Sequence, residues 1–296
     1  MAPIRILVQT SIPFAEDDWH VGRFSALVET LRGFRRPDGT RLAEVTTRNR
    51  QVDATGHDPV LAGLDRHDFD ELWMFAVDGG VGCDDAECAA IDAFHRSGGG
   101  LLTIRDHQNM GLWLRKLPGV GAAHFFHSES LREPDTSRWS RDDLDTGTID
   151  YPNYHSGANG DAQPVSAVEP LHPLLVRSDG SRIEWLPSHP HEGAVAPPIG
   201  DSRARSVARG RSSVSGHPFH LVIAFERSSE VAGRAVAESS FHHFADYNWN
   251  PSAGAPSFVT EKPGTGLREH PEAMEHTRAY VENLVRWLAP AAGTAS

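Results

Sequence analysis

The sequence predicts an α/β protein whose mostly parallel sheet carries helices on both faces. Three observations point to it. Short apolar runs bounded by turn residues, such as "IRILVQT", "FDELWMFAV" and "LLTI", read as buried strands. Segments of helical period fall between them. After a long polar middle, two further strand signals and an amphipathic helix close the chain. Strands alternating with helices favour a parallel sheet, because each crossover must pack back on one face.

In chain order, "IRILVQT" is the first strand. Val21, Phe24, Leu27, Leu31 and Phe34 then recur at helical spacing, with Gly33 near the end. "RLAEVTTRN" is the second strand and "FDELWMFAV" the third, ending at "DGGVG". Asp84 with Glu87 three residues on is a capping box, Ile91 and Phe94 continue that helix, and "SGGG" stops it. "LLTI" is the fourth strand. The middle, about 117–216, is rich in Pro, Gly, Ser, His and Asp, and its apolar content is too thin for an independent core. It is expected to be an elaborated His-rich insertion with short strands such as "RIEWL" and "ARSVAR". "FHLVIAFE" and "GRAVAESSF" then resume the sheet. Met274, Thr277, Val281, Leu284, Val285 and Leu288 form the core-facing stripe of a final helix. The expectation is one domain over 1–289, followed by a disordered tail over 290–296.

Composition narrows the function. A net charge of -12 disfavours both a nucleic-acid surface and an anionic membrane face. No run is long enough to span a membrane, and the start lacks a signal-peptide pattern, which implies a cytoplasmic protein. Cys83 and Cys88 match neither a zinc motif nor a disulfide framework. There is no phosphate loop, dinucleotide fingerprint, H-E-x-x-H or G-x-S-x-G elbow, so no nucleotide cofactor is expected.

The stretch "SGGGLLTIRDHQNMG" joins a glycine-rich helix end, a buried strand and a sharp polar turn. It resembles the class I glutamine amidotransferase-like fold. The chain is more similar to the trehalose-utilisation (ThuA-like) branch, in which "GGG", a short strand and a histidine recur in this order. "HPLL" at His172–Leu175 and "YVENLVRWL" look like that branch's His-Pro turn and closing helix. The resemblance implies a flavodoxin-like sheet and carbohydrate derivatives as ligands. In true amidotransferases a cysteine nucleophile stands on the turn after this strand. Here the turn reads Arg105, Asp106, His107, so glutaminase chemistry is not expected.

Ligands of open α/β sheets bind beyond the carboxyl ends of the strands. Polar groups fall at several such ends: Asp78 after the third strand, Arg105, Asp106 and His107 after the fourth, and Ser239, Ser240, His242 and His243 after the last. Polar strand ends are also ordinary loop starts. In "PSHPHEG" an extended backbone would turn His189 and His191 to one side, beside Glu192, which suits a divalent ion such as Zn, Fe or Mn. The alternative is a solvated Pro-rich loop. "IDYPNYHSGANGD" packs Asp150, Tyr151, Asn153, Tyr154, His155, Asn159 and Asp161 together; turn chemistry accounts for Asn159, less well for His155 with two tyrosines. In "HFFHSE" the flanking phenylalanines favour structural roles for His124 and His127, which would share a face if helical. In "SSFHHFADYNWN" the chain must turn for one histidine to reach a site while the other is held, with His243 and Asp246 a candidate orienting pair. The competing reading makes Phe241, Phe244, Tyr247 and Trp249 an aromatic patch for homo-oligomer assembly.

The sequence therefore predicts a small-molecule enzyme with a divalent metal on His107, His155, His189, His191 and His242. Asp106 or Glu192 would act as general base, His243 would join the chemistry and Arg105 would hold an anionic group; Asp78, Tyr154, Ser240 and Asp246 would contact substrate. Metal-assisted hydrolysis, or a related lyase or isomerase step, follows. The alternative is a non-catalytic ligand-binding or assembly protein on the same fold.

Overall fold

The computed structural model describes residues 2–129, 142, 146, 148, 149 and 151–291. Strands β1 (Ile4–Thr10), β2 (Ala43–Asn49), β3 (Glu71–Phe75) and β4 (Gly100–Ile104) alternate with helices α1 (Ser25–Gly33), α2 (Pro59–Ala62) and α3 (Asp85–Arg96). The middle carries β5 (His124–Phe125), β6 (Ala162–Pro164), β7 (Ser166–Ala167), β8 (Trp185–Pro187), β9 (Ala194–Val195) and β10 (Ala204–Arg211). Strands β11 (Pro218–Phe225) and β12 (Ala235–Glu238) follow, then α4 (Asp246–Trp249), α5 (Gly266–Glu269) and α6 (Pro271–Leu288).

The main sheet runs β2-β1-β3-β4-β12-β11-β10-β7. Its first five strands are parallel, and β11, β10 and β7 extend it antiparallel. The order 2-1-3-4 with β12 in fifth place is the flavodoxin-like arrangement. Strand β4 sits centrally between β3 and β12, so its polar turn opens at the carboxyl edge.

Side-chain alternation along these strands builds two core layers. Ile6, Val8, Trp73, Phe75, Leu102 and Ile104 face α1 and α6, whose Leu27, Leu31, Tyr280, Val281 and Leu284 complete one cluster. Leu7, Leu72, Met74 and Leu101 face α2 and α3, with Leu61, Ile91 and Phe94. The α3 capping box forms as expected: Asp84 accepts from the amides of Ala86 and Glu87, and Glu87 accepts from the Asp84 amide at 2.8 Å. Among the described residues, no helix is long and apolar enough to cross a membrane.

The middle departs from expectation in detail. Its Val165, Leu174, Leu175, Ile183 and Leu186 pack in the same cluster as α1 and α6. Strand β10, inside the expected insertion, is a strand of the main sheet. "RIEWL" shortens to β8, and "HFFHSE" is β5 followed by a turn rather than a helix. There His124 Nε2 meets Thr103 Oγ1 at 2.9 Å and His127 Nδ1 meets the Tyr151 carbonyl at 3.2 Å. Asp150 and residues 292–296 of the expected tail lie outside the described residues.

Candidate functional site

Four parallel strands end on one cleft of about 360 Å³. Asp18 and Trp19 reach it from the connection after β1, Val77 and Gly79 from the end of β3, and Asp106, His107 and Met110 from the β4 turn. Phe241 and His242 come from beyond β12, His189 and His191 from the β8–β9 connection, and Phe258, Val259 and Glu261 from the loop before α5.

The β4 turn is locked by the residue expected to hold an anion. Arg105 is fully buried, and its guanidinium donates to the carbonyls of Met110 at 3.1 Å, Gln108 at 2.6 Å and Phe125, with Phe126 beneath it at 4.4 Å. Burial pulls its pKa down to about 9. It thereby ties β5 to the backbone of the turn, which passes through the left-handed region at Gln108 (φ 46°). Arg105 is thus a staple that aims Asp106 and His107. Opposite it, the backbone at Gly193 lies so close that an added Cβ would stand 2.5 Å from the Asp106 carbonyl and 2.7 Å from that of Ser239. Only a glycine allows this approach, which brings His189 and His191 against the ends of β4 and β12.

Asp106, His189 and His242 form the floor. Their ligand atoms lie within 4.8 Å of one another, and all three residues are buried. Asp106 Oδ2 stands 3.3 Å from His189 Nε2 and 3.7 Å from His242 Nε2, while Ser240 Oγ donates to Oδ1 at 3.0 Å. His189 Nδ1–H donates to Asn159 Oδ1 at 3.0 Å and His242 Nδ1–H to Asn248 Oδ1 at 2.8 Å. Asn248 Nδ2 in turn donates to Asn159 Oδ1 at 2.8 Å. An amide oxygen accepts, so each ring carries its proton on Nδ1 and presents the Nε2 lone pair to Asp106. The rings stack 3.5 Å apart, and His189 Nε2 has no hydrogen-bond partner.

Burial holds His189 down to about 4 despite Asp106, and burial with His189 alongside holds His242 well below its ordinary value. Burial would raise Asp106, but the facing His189 and His107 outweigh it and keep it well below the usual carboxylate range. Two imidazole Nε2 atoms and one carboxylate oxygen therefore converge on the cleft floor. Nitrogen and carboxylate donors in this spacing could hold one metal ion.

Two more histidines flank this floor. His107 Nδ1 donates to Asp106 Oδ2 at 2.9 Å, and His191 Nε2 meets Glu261 Oε1 at 3.0 Å. The His191 contact, against burial, pulls the Glu261 carboxyl down to about 2.

Several expected roles are corrected. His155 bonds Ser213 Oγ at 2.9 Å and does not line the cleft. Glu192 is fully buried and does not line the cleft, accepting from Ser156, Gln163 and Ser239 at 2.9, 2.6 and 2.8 Å. His243 lies between Glu192 at 3.1 Å and Glu238 at 2.9 Å; burial would lower its pKa, but the two carboxylates raise it to about 10. Asp246 does not orient it, accepting instead from the amides of Ser25 and Ala26 at 3.0 and 2.8 Å, which caps α1. Asp78 is engaged by Ser11 Oγ, by Trp113 Nε1 at 2.9 Å and by the Gly80 amide at 3.0 Å. Tyr154 stacks on Phe219 at 4.9 Å, and Ser240 orients Asp106 rather than substrate. The aromatic patch is core: Phe241, Phe244 and Tyr247 are buried within the chain. Cys83 and Cys88 are buried too, and burial raises both thiols, Cys88 to about 12.

Fold and site together define an α/β protein of flavodoxin-like strand order with a His/Asp cleft at its carboxyl edge. No family model and no curated protein matches the chain. Solved structures similar to it include a protein from Parabacteroides merdae described as ThuA-like, at 13% identity and TM-score 0.43, over 80% of this chain and 79% of that one. The glutaminase domain of Trypanosoma brucei CTPS with bound acivicin is similar at 13% identity and TM-score 0.46, over 96% and 94%. The mmIFT52 N-terminal domain is similar at 10% identity and TM-score 0.46, over 96% of each chain.

Proposed function

We propose that Asp106, His189 and His242 hold one divalent ion, Zn, Fe or Mn, and that the protein is an enzyme acting on a small polar molecule in this cleft. The reaction class is metal-assisted hydrolysis or a related lyase or isomerase step. Carbohydrate derivatives are the substrates suggested by the ThuA-like sequence motifs. The carrying observation is the convergence of two Nε2 atoms on one carboxylate oxygen, with each Nδ1 set against an asparagine oxygen. A bound ion would polarise a substrate carbonyl or ready a water for attack. Ser240 fixes the Asp106 carboxylate, and Asn159 and Asn248 fix the rings. His191, paired with Glu261 on the cleft wall, moves the proton, and the apolar wall limits water.

Elemental analysis of protein purified without a histidine tag is expected to give about one ion per chain. His189→Gln and His242→Gln should lose it, while His155→Gln keeps it. Protein that stays metal-free after supplementation, or that keeps its metal in both variants, contradicts the reading.

A further inference from the structure

The chemistry of the cleft walls narrows what enters. We infer that it takes an uncharged or cationic molecule bearing a flat apolar group, and turns away phosphorylated and carboxylated compounds. This rests on the reading of the cleft as a substrate site and sharpens its substrate class.

The first support is charge. Asp18, Asp106 and Glu261 all line the cleft, and among the described residues no lysine or arginine does. Arg105, nearest in sequence, spends its donors on backbone carbonyls. Asp18 and Glu261 thus put carboxylates on the lining with no lysine or arginine among the described lining residues, so an anionic group away from the floor meets net repulsion.

The second support is an apolar wall with one ring left open. Trp19 packs edge-on against His242 at 4.8 Å and Phe241 at 5.3 Å, and is itself buried. Phe258 also lines the cleft but is 58% exposed. Its loop is tied to the connection after β1, the Ser257 amide donating to Asp17 Oδ1 at 2.6 Å. An aromatic held open on a cleft wall gains by being covered. On the polar floor His189 Nε2, on a residue 3% exposed, has no hydrogen-bond partner. The cleft lining thus joins a polar floor to an apolar wall.

Two binding experiments on the full chain test this. Zinc-loaded protein is titrated calorimetrically with acetohydroxamate, benzohydroxamate and the 4-carboxy and 4-aminomethyl benzohydroxamates, which share one metal-binding head. Benzohydroxamate is expected to bind about tenfold tighter than acetohydroxamate, an advantage that Phe258→Ala removes. The 4-carboxy compound should bind roughly fivefold or more weaker than the 4-aminomethyl one, a gap narrowed by Asp18→Asn and Glu261→Gln. In parallel, EDTA-treated protein is examined with benzamidine, benzamide and benzoate by ligand-observed NMR, with affinity expected to fall in that order. If zinc fails to bind, the metal reading falls and the EDTA series alone decides the substrate class. Benzoate or the 4-carboxy compound binding tightest overturns the inference, as does a charge preference unchanged in both carboxylate variants.

Discussion

His242 and His243 are neighbours in the chain, and both are buried, yet they sit in opposite electrostatic settings. His242 donates to an amide oxygen, stacks on His189 and is held well below its ordinary pKa. His243 lies between two carboxylates and is raised to about 10. Burial pushes both rings downward, so the partners decide the outcome. The floor of the cleft sets two imidazoles against one carboxylate, the group proposed to hold a cation. The second network, Glu192, His243, Glu238 and Tyr280, already contains its cation, the imidazolium. One region is the proposed ion site; the other is a closed ion-pair network.

The largest effect expected from this contrast is on folding. His243→Gln leaves Glu192 and Glu238 buried without their cation and should cost about 3–5 kcal/mol in denaturant unfolding. The sign with pH follows from the raised folded value. His243 stabilises fully below the unfolded value near 6.5, and this stabilisation is lost as pH rises through about 10. The alkaline fall in stability over that window should flatten in the variant. A variant as stable as wild type with an unchanged slope would break the comparison.

Next comes the floor. Asn159→Ala and Asn248→Ala remove the acceptors that fix the two rings, and each should weaken metal binding roughly 10- to 100-fold in a chelator competition. Unchanged affinity would mean that the tautomers are not set by these amides. A smaller effect belongs to Asp246→Ala, which should cost about 1 kcal/mol through the lost α1 cap and leave metal affinity unaltered. Loss of metal there would restore Asp246 to the site. The smallest expected effect is none: thiol alkylation leaves activity intact, because Cys83 and Cys88 are buried with raised thiols and stand outside the cleft.

The strands and long helices were legible because buried parallel strands write short apolar runs and α6 writes a clean helical stripe. Asp106, His107, His189, His191 and His242 were legible as polar residues at strand ends and in a His-x-His turn. What the sequence hid is partner choice. An arginine after a strand reads as an anion holder, but the carbonyls that occupy Arg105 carry no sequence signature. Asn159 reads as a turn residue, although its oxygen accepts from His189. Glu261 and Phe258 come from a loop about 70 residues beyond His191, where nothing in "SFVTEKPG" announces a cleft wall. The adjacent histidines diverge because Phe241–His243 is a 3-10 turn, which rotates successive side chains by about 120°.

The central claim is that one ion sits among Asp106, His189 and His242. The most direct measurement is anomalous diffraction at the absorption edge of zinc, on crystals of metal-loaded, untagged protein. The account predicts one strong peak per chain, about 2.1 Å from His189 Nε2 and His242 Nε2 and within bonding reach of Asp106 Oδ2. A saturated protein whose peak lies elsewhere, or whose cleft floor shows none, would contradict it.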